Sequence, residues 1–335
     1  FVSAAQKRGI IIELAFFCPF YEEIQWNLSP FNTINNINGL GAIARTDVYT
    51  LDKSGGILAV QEALVRKIVN ELKDFDNLIY EICNEPYFGG VTMEWQRHIA
   101  DIITETEVTF QARHLISQNM FNGSGKIRDP HPAVSIFNFH YATPPYAVAQ
   151  NYDLNKVIGD NETGFAGNSD STYRREGWEF LLAGGGLYNN LDYSFTAGHE
   201  KGTFVYPSTQ PGGGSSELRR QLGYLKDFLY RFDFIHMQPD STLIIKGQPE
   251  KFRSYALTEP GKQYAIYFNS GIGINVELTL PAGTYEVEWM NPLTGKRDKK
   301  TFLKHSGGKV VLVFPEYGED IALRVVKAGY KKMQK

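Results

Sequence analysis

A parallel α/β domain followed by an antiparallel β-sandwich is the fold this sequence predicts, on three observations. Up to residue 240, strand-length apolar runs alternate with helix-length amphipathic stretches, the pattern of crossover units on a parallel sheet. From residue 241 to 330 the pattern changes to short alternating segments separated by turn signals, which describes a sandwich. No G-x-G-x-x-G follows the first strand and no G-x-x-x-x-G-K-[ST] occurs, so the nucleotide-binding forms of an α/β sheet lose weight.

The elements follow in order. Phe1 to Gly9 reads as the last turns of an amphipathic helix, so the chain reads as the later part of something longer. Ile10–Phe17 is an apolar run of strand length, and a long Asn-rich loop, Cys18 to Gly55, follows it. Ile57–Leu72 carries Val60, Leu64, Val65, Ile68, Val69 and Leu72 at helical spacing. Asn77–Cys83 is strand-like, Met93–Phe110 helix-like, and His114–Met120 and Val134–Tyr141 are strands. A short helix near Ala147–Asn155 precedes the strand Val157–Glu162, the helix Ser171–Leu182 and a sixth strand, Leu187–Phe195. Ser215–Phe232 is a helix with Ser215 or Ser216 as its N-cap. The triple glycines at 184–186 and 212–214 lack the Lys of a phosphate loop and read as flexible turns. The sandwich segments are Thr242–Lys246, Arg253–Leu257, Gln263–Phe268, Ile274–Leu280, Thr284–Trp289, Thr301–Lys304, Val310–Phe314 and Ile321–Val326.

Composition narrows the function classes. The 335 residues suggest two domains at roughly 150 residues each. Net charge is −3, which argues against a broad nucleic-acid surface, and no apolar run reaches the ~18 residues of a membrane span. Cys18 and Cys83 are too few for a disulfide scaffold and favour two buried thiols. The unusual count is aromatic, with 22 Phe, 19 Tyr and 4 Trp. Such rings fill a core or line a site that stacks on flat-faced ligands.

Two acidic motifs end predicted strands: Tyr80-Glu81-Ile82-Cys83-Asn84-Glu85-Pro86 and Val157-Ile158-Gly159-Asp160-Asn161-Glu162-Thr163-Gly164. Each places a Glu where a buried strand meets a loop, the catalytic face of a (β/α)8 barrel. Asn-Glu-Pro, with a second Glu three strands later, resembles the retaining (β/α)8 glycoside hydrolases of the two-glutamate clan, cellulase-like and family-five-like. The resemblance implies a TIM barrel in residues 1–240, with Glu85 as acid/base, Glu162 as nucleophile and Asn84 on the sugar 2-hydroxyl. Retaining hydrolysis needs two carboxyl groups roughly 5 Å apart, one protonated and one ionised. In the clan the Asn-Glu strand is the fourth. On that register Ile10–Phe17 is the third, the first two β/α units are missing, and an N-terminal segment is expected to complete the barrel.

His140 and Tyr141 end the strand before Glu162. The family pattern is His-x-Tyr; here Tyr141 follows His140 directly, which puts the usual bond from Tyr to the nucleophile in doubt. Glu81 shares parity with Glu85 and so faces the barrel interior, where a buried Glu needs a partner. Trp26 is the leading candidate for a sugar-stacking platform, with Tyr87 near the first motif and Asp192 and Tyr193 at the end of the last strand. Trp95 and Trp178 fall on helices and read as packing residues. His199-Glu200 lacks H-E-x-x-H spacing, so neither a metal nor another cofactor is expected. Trp289-Met290-Asn291-Pro292-Leu293-Thr294-Gly295 resembles the strand and turn of sandwich domains appended to such barrels, some of which are named for collagen binding. A structural sandwich docked on the barrel is the favoured reading of it. The expected activity is cleavage of O-glycosidic bonds in an oligo- or polysaccharide by a secreted or periplasmic enzyme. The rivals are a degenerate barrel that binds glycans without cleaving them, and a metal-dependent barrel enzyme.

Overall fold

The structure, a computed structural model, describes residues 1–207, 209, 212–246, 253–269 and 275–330. The chain divides into two compact units, Phe1–His140 with Asp153–Gly159, and Tyr141–Tyr152 with Asp160–Lys335.

The first unit runs α1 (Val2–Gln6), β1 (Ile12–Phe17), α2 (Glu23–Leu28), α3 (Ile57–Leu72), β2 (Leu78–Cys83), α4 (Met93–Thr106), β3 (Leu115–Asn122) and β4 (Val134–His140). These strands pair in parallel, with Phe17 opposite Cys83, Glu81 opposite Ser117 and Asn119 opposite Asn138. All six residues of β2 are buried, as a strand covered on both faces requires. Thr92 caps α4 by accepting from Trp95 N at 3.2 Å, and the Trp95 indole donates to Gln61 of α3 at 2.9 Å. The Trp95 ring packs edge-on against Phe17 and Tyr49, at 5.2 and 4.9 Å between centroids. Trp95 is therefore a packing residue, as its helical position implies. Glu81 is buried and accepts from Asn138 Nδ2 at 3.1 Å. The same nitrogen donates to Glu13 Oε1 at 2.6 Å.

The second unit starts with α5 (Tyr146–Asn151) and takes up β5 (Val157–Glu162) from Asp160 onward. It continues with α6 (Asp170–Leu182), β6 (Leu187–Tyr188) and α7 (Ser216–Leu229). Ser215 caps α7, accepting from Leu218 N at 2.9 Å. The remaining strands are β7 (Gln238–Pro239), β8 (Ile244–Lys246), β9 (Arg253–Glu259), β10 (Gln263–Asn269), β11 (Asn275–Leu280), β12 (Gly283–Met290), β13 (Arg297–His305), β14 (Gly308–Val313) and β15 (Asp320–Lys327). The fold is thus mixed α/β: a six-stranded sheet in the order β1-β2-β3-β4-β5-β6, and antiparallel sheets ordered β13-β12-β15-β10-β9-β7 and β14-β11-β8. Trp289, Phe268, Phe314, Tyr285 and Leu278 share one apolar core that joins the two antiparallel sheets.

Four local expectations are corrected. The loop Cys18–Gly55 holds α2, whose Glu22 and Gln25 form a capping box. The sixth parallel strand stops at Tyr188, because Asn190 and Asp192 turn their side chains onto neighbouring backbone groups instead of continuing a ladder. Strand β13 is longer than Thr301–Lys304 and begins at Arg297. Gly212–Gly214 is a close approach and not a flexible turn: Cβ atoms there would meet Leu191 O, the Tyr173 ring and Asp192 Oδ1 at 2.2 Å each. Ile274, expected to open β11, lies outside the described residues.

Within the second unit the antiparallel sheet packs on α6 and α7. Trp178, Leu182, Leu225 and Phe228 from the helices meet Tyr267, Ala265, Met290 and Ala322 from the strands. Trp178 stacks on Tyr267 at 5.3 Å, a packing residue again. The hairpin turn after β12 explains its sequence pattern: Asn291 Oδ1 accepts from Leu293 N and Thr294 N, at 2.9 and 3.1 Å. Gly295, with φ of +68°, leaves room for Tyr224 of α7. Arg174, 1% exposed, grips Asp320 with two bonds of 3.1 and 3.0 Å, Glu319 at 2.8 Å and Gln221 at 3.1 Å. Tyr267 donates to the same Asp320 at 2.7 Å. Glu176 sits on α6 with Oε2 buried and unbonded. Burial first, then the carboxyl of Glu179, pushes it up to about 7 against the pull of Arg175 and Arg253.

Arg174→Ala strands Asp320 without its cation. It is expected to lower the unfolding free energy by about 3–5 kcal/mol, read by urea denaturation, while Arg220→Ala at an exposed pair changes it by under about 1 kcal/mol. A second expectation concerns pH. A carboxyl raised above its ordinary value binds its proton more tightly in the folded chain. Its contribution is full below the ordinary value of 4.5 and is lost as pH rises toward about 7. Stability should therefore fall between pH 5 and pH 8, with a shallower fall in Glu176→Gln; an equal slope in the two proteins would refute this.

Candidate active site

Glu85 follows the buried β2 by two residues, where the strand opens into a turn. Its φ is +43°, an unusual conformation for a residue with a Cβ, of the kind that collects at functional sites. The turn aims its carboxyl at a set of polar side chains from neighbouring strand ends. Tyr21, from the loop after β1, donates to Glu85 Oε2 at 2.7 Å. Tyr87 Oη lies 3.2 Å from Oε1 and also donates to Asn122 Oδ1. His140, fully buried at the end of β4, places Nδ1 3.2 Å from Oε1 and 3.5 Å from Tyr87 Oη. Asn84 Nδ2 donates to Tyr21 Oη at 3.3 Å and lies 3.9 Å from Cys18 Sγ. Cys18 is exposed, contrary to the two-buried-thiol expectation, while Cys83 is buried. Burial, then the hydrogen bonds of Cys18 and Glu85, push the Tyr21 phenol above its ordinary range, so it remains a donor.

The second strand end is built in the other unit. Tyr141 Oη donates to Glu162 Oε1 at 2.5 Å, and Tyr141 N donates to Glu162 O at 2.8 Å. The bond from Tyr to the second Glu therefore forms without the intervening residue of His-x-Tyr. The compensation is local, since Tyr141 takes a φ of +56°, which redirects its side chain. Asp160 is fully buried below Glu162 and accepts from Ala142 N at 3.3 Å. Burial, then the charge of Glu176, raises it well above the ordinary carboxylate range. Phe165, three residues after Glu162, is 71% exposed and meets Tyr141 edge-on at 5.5 Å.

Asn84, Glu85, Tyr87 and His140 are thus brought together in the first unit, and Tyr141 and Glu162 in the second. Asp192 belongs to a different network. Its Oδ1 accepts from Ser194 N and Oγ, and its Oδ2 from Arg219 at 2.7 Å. Tyr193 is half-buried and packs edge-on to Tyr206 at 6.2 Å. The platform expectation for Trp26 is corrected: it lies on α2, is 4% exposed and packs on Phe20 at 5.2 Å, so no ring face is open. The sequence reading missed Tyr21, Asn122 and Phe165. Tyr21 and Phe165 are aromatic residues three or four positions past a strand end, a signal available to such a reading.

No family model matches the sequence, and no curated protein matches it. Solved structures do. A protein described as a glycoside hydrolase is similar over 99% of this chain and 89% of its own, with 15% identity and a TM-score of 0.60. A family 5 glycoside hydrolase from Bacteroides vulgatus is similar over 99% of this chain and 74% of its own, with 14% identity and a TM-score of 0.64. The catalytic domain of family 30 xylanase C from Talaromyces cellulolyticus is similar over 89% of this chain and 73% of its own, at 11% identity and a TM-score of 0.50. At these identities the likeness is one of fold.

Proposed function

We propose that this protein is a retaining glycoside hydrolase, with Glu85 as acid/base and Glu162 as nucleophile. The observation that carries the reading is the pair of strand-end carboxyls, on β2 and on β5, each held by tyrosine hydroxyls. The likeness of fold to glycoside hydrolases supports it. Glu162 attacks the anomeric carbon while Glu85 protonates the leaving oxygen. Water, deprotonated by Glu85, then releases the sugar with its configuration retained. The hydroxyl of Tyr141 fixes the direction of Glu162, so the nucleophile needs little reorganisation on attack. The substrate is an oligo- or polysaccharide, and the site of action is outside the cytoplasm. Asn84, with its amide beside Glu85, contacts the sugar next to the reacting bond, and the exposed ring of Phe165 offers a stacking face. The six parallel strands belong to a (β/α)8 barrel. Among the described strands β1 pairs with β2 alone.

Three measurements test this. On a panel of aryl glycosides and glycans, Glu162→Gln should abolish turnover. Glu85→Gln should cost roughly 10²–10⁴-fold on substrates with poor leaving groups. NMR of the first-formed sugar should show the anomer of the substrate. Inert wild type on the whole panel would favour a glycan-binding protein, and loss of activity in chelator a metal enzyme. Phe165→Ala should raise KM roughly two- to tenfold with little change in kcat, as loss of one stacking contact predicts.

A further inference from the structure

The hydrogen atoms around Tyr21 can be assigned by elimination. A phenol has one hydrogen to donate. Asn84 Nδ2 carries only hydrogens, so toward Tyr21 Oη it must act as donor, at 3.3 Å. The thiol of Cys18 donates to the same oxygen at 3.5 Å. With Tyr21 Oη accepting on that side, its own hydrogen points to the remaining neighbour, Glu85 Oε2, at 2.7 Å. The other carboxyl oxygen has a different environment. Oε1 faces Tyr87 Oη and His140 Nδ1, each at 3.2 Å. The shortest bond of Tyr87 runs to Asn122 Oδ1, an atom that only accepts, so the hydrogen of Tyr87 is directed there. Its oxygen then faces Oε1 as an acceptor.

We propose that Tyr21 is a positioning residue for Glu85: by occupying Oε2 as a donor, with Asn84 and Cys18 behind it, it places the transferable proton on Oε1. The proposal rests on the reading of Glu85 as acid/base. In the first step the proton on Oε1 passes to the glycosidic oxygen as the bond from that oxygen to the anomeric carbon breaks, its electron pair leaving with the oxygen. In the second, Oε1 takes a proton from the attacking water as the water oxygen bonds to the anomeric carbon and the bond to Glu162 breaks, which restores the starting state. Tyr21 exchanges no proton in either step. It holds the carboxyl plane so that one oxygen alone faces the leaving group.

Tyr21→Phe keeps the ring and its edge-on contact with Phe88 at 5.6 Å, and at 36% exposure the site tolerates the change. The test compares wild type, Tyr21→Phe and Glu85→Gln on aryl glycosides that share the sugar turned over in the panel and differ in leaving group. Tyr21→Phe is expected to lower kcat roughly 10- to 100-fold for phenyl leaving groups, the size of one lost bond to a charged group. For dinitrophenyl leaving groups, which depart without a proton, glycosylation should be nearly unchanged, and KM should move little for either. If Glu85→Gln shows the leaving-group dependence and Tyr21→Phe follows wild type across the series, the positioning role is overturned while the hydrolase reading stands. If Glu85→Gln shows no leaving-group dependence, both are overturned.

Discussion

A carboxyl group at the mouth of an apolar strand must find hydrogen-bond donors, and the kind of donor decides what the group can do. A lysine or arginine at that distance would fix it as one half of an ion pair. Here Glu85 meets phenols and an imidazole, and Glu162 receives a phenol. Such partners orient a carboxyl without binding it permanently to a positive charge. Glu85 and Tyr141, both with positive φ, meet the same constraint from the backbone side. A strand that simply continued would send its next side chain to the opposite face; a turn in the left-handed region redirects it. Strained backbone and neutral donors are therefore two parts of one solution.

The organisation of the second unit follows from a related problem. Helix α6 follows β5, and its far face carries Trp178, Arg174 and Glu179, three large groups that would be poorly accommodated by water or by a lone helix. The antiparallel sheet covers them. Trp178 meets Tyr267, Arg174 meets Asp320, and Arg253 pairs with Glu179 at 3.0 Å. The antiparallel sheet and Glu162 thus belong to one compact unit, joined through α6. The buried carboxyls along this layer, Asp160 and Glu176 among them, make this unit sensitive to pH through desolvation and mutual repulsion.

The order of the strands and helices was legible because burial leaves a strong trace in sequence. The run Leu78–Cys83 is wholly buried, as its apolar pattern implies, and α3 and α4 keep helical spacing. The two Glu residues stood out for a different reason: an Asn-Glu-Pro after one strand and a Glu three strands later match a family pattern. What stayed hidden depends on contacts between distant segments. Nothing local distinguishes Trp26, closed against Phe20, from a ring open to solvent. Asp192 looks like a hydroxyl binder until Arg219, 27 residues later, folds back onto it. Gly212–Gly214 looks loose until Leu191, Tyr173 and Asp192 close around it.

Tyr21 shows the same limit in a form that bears on mechanism. It lies 64 residues from Glu85, in a loop whose composition suggests only length and polarity. What places it is the parallel pairing of β1 with β2, Phe17 opposite Cys83, which brings the loop after one strand beside the turn after the next. In a parallel sheet every strand end has such a neighbour, so each functional carboxyl is flanked by the loop of the preceding strand. The identity of that flanking residue then sets which oxygen carries the proton. For Glu85 this ties the chemistry to β1, the strand whose only described partner is β2. Any element that steadies the outer side of β1 would steady Tyr21 too, and through it the direction in which the acid points.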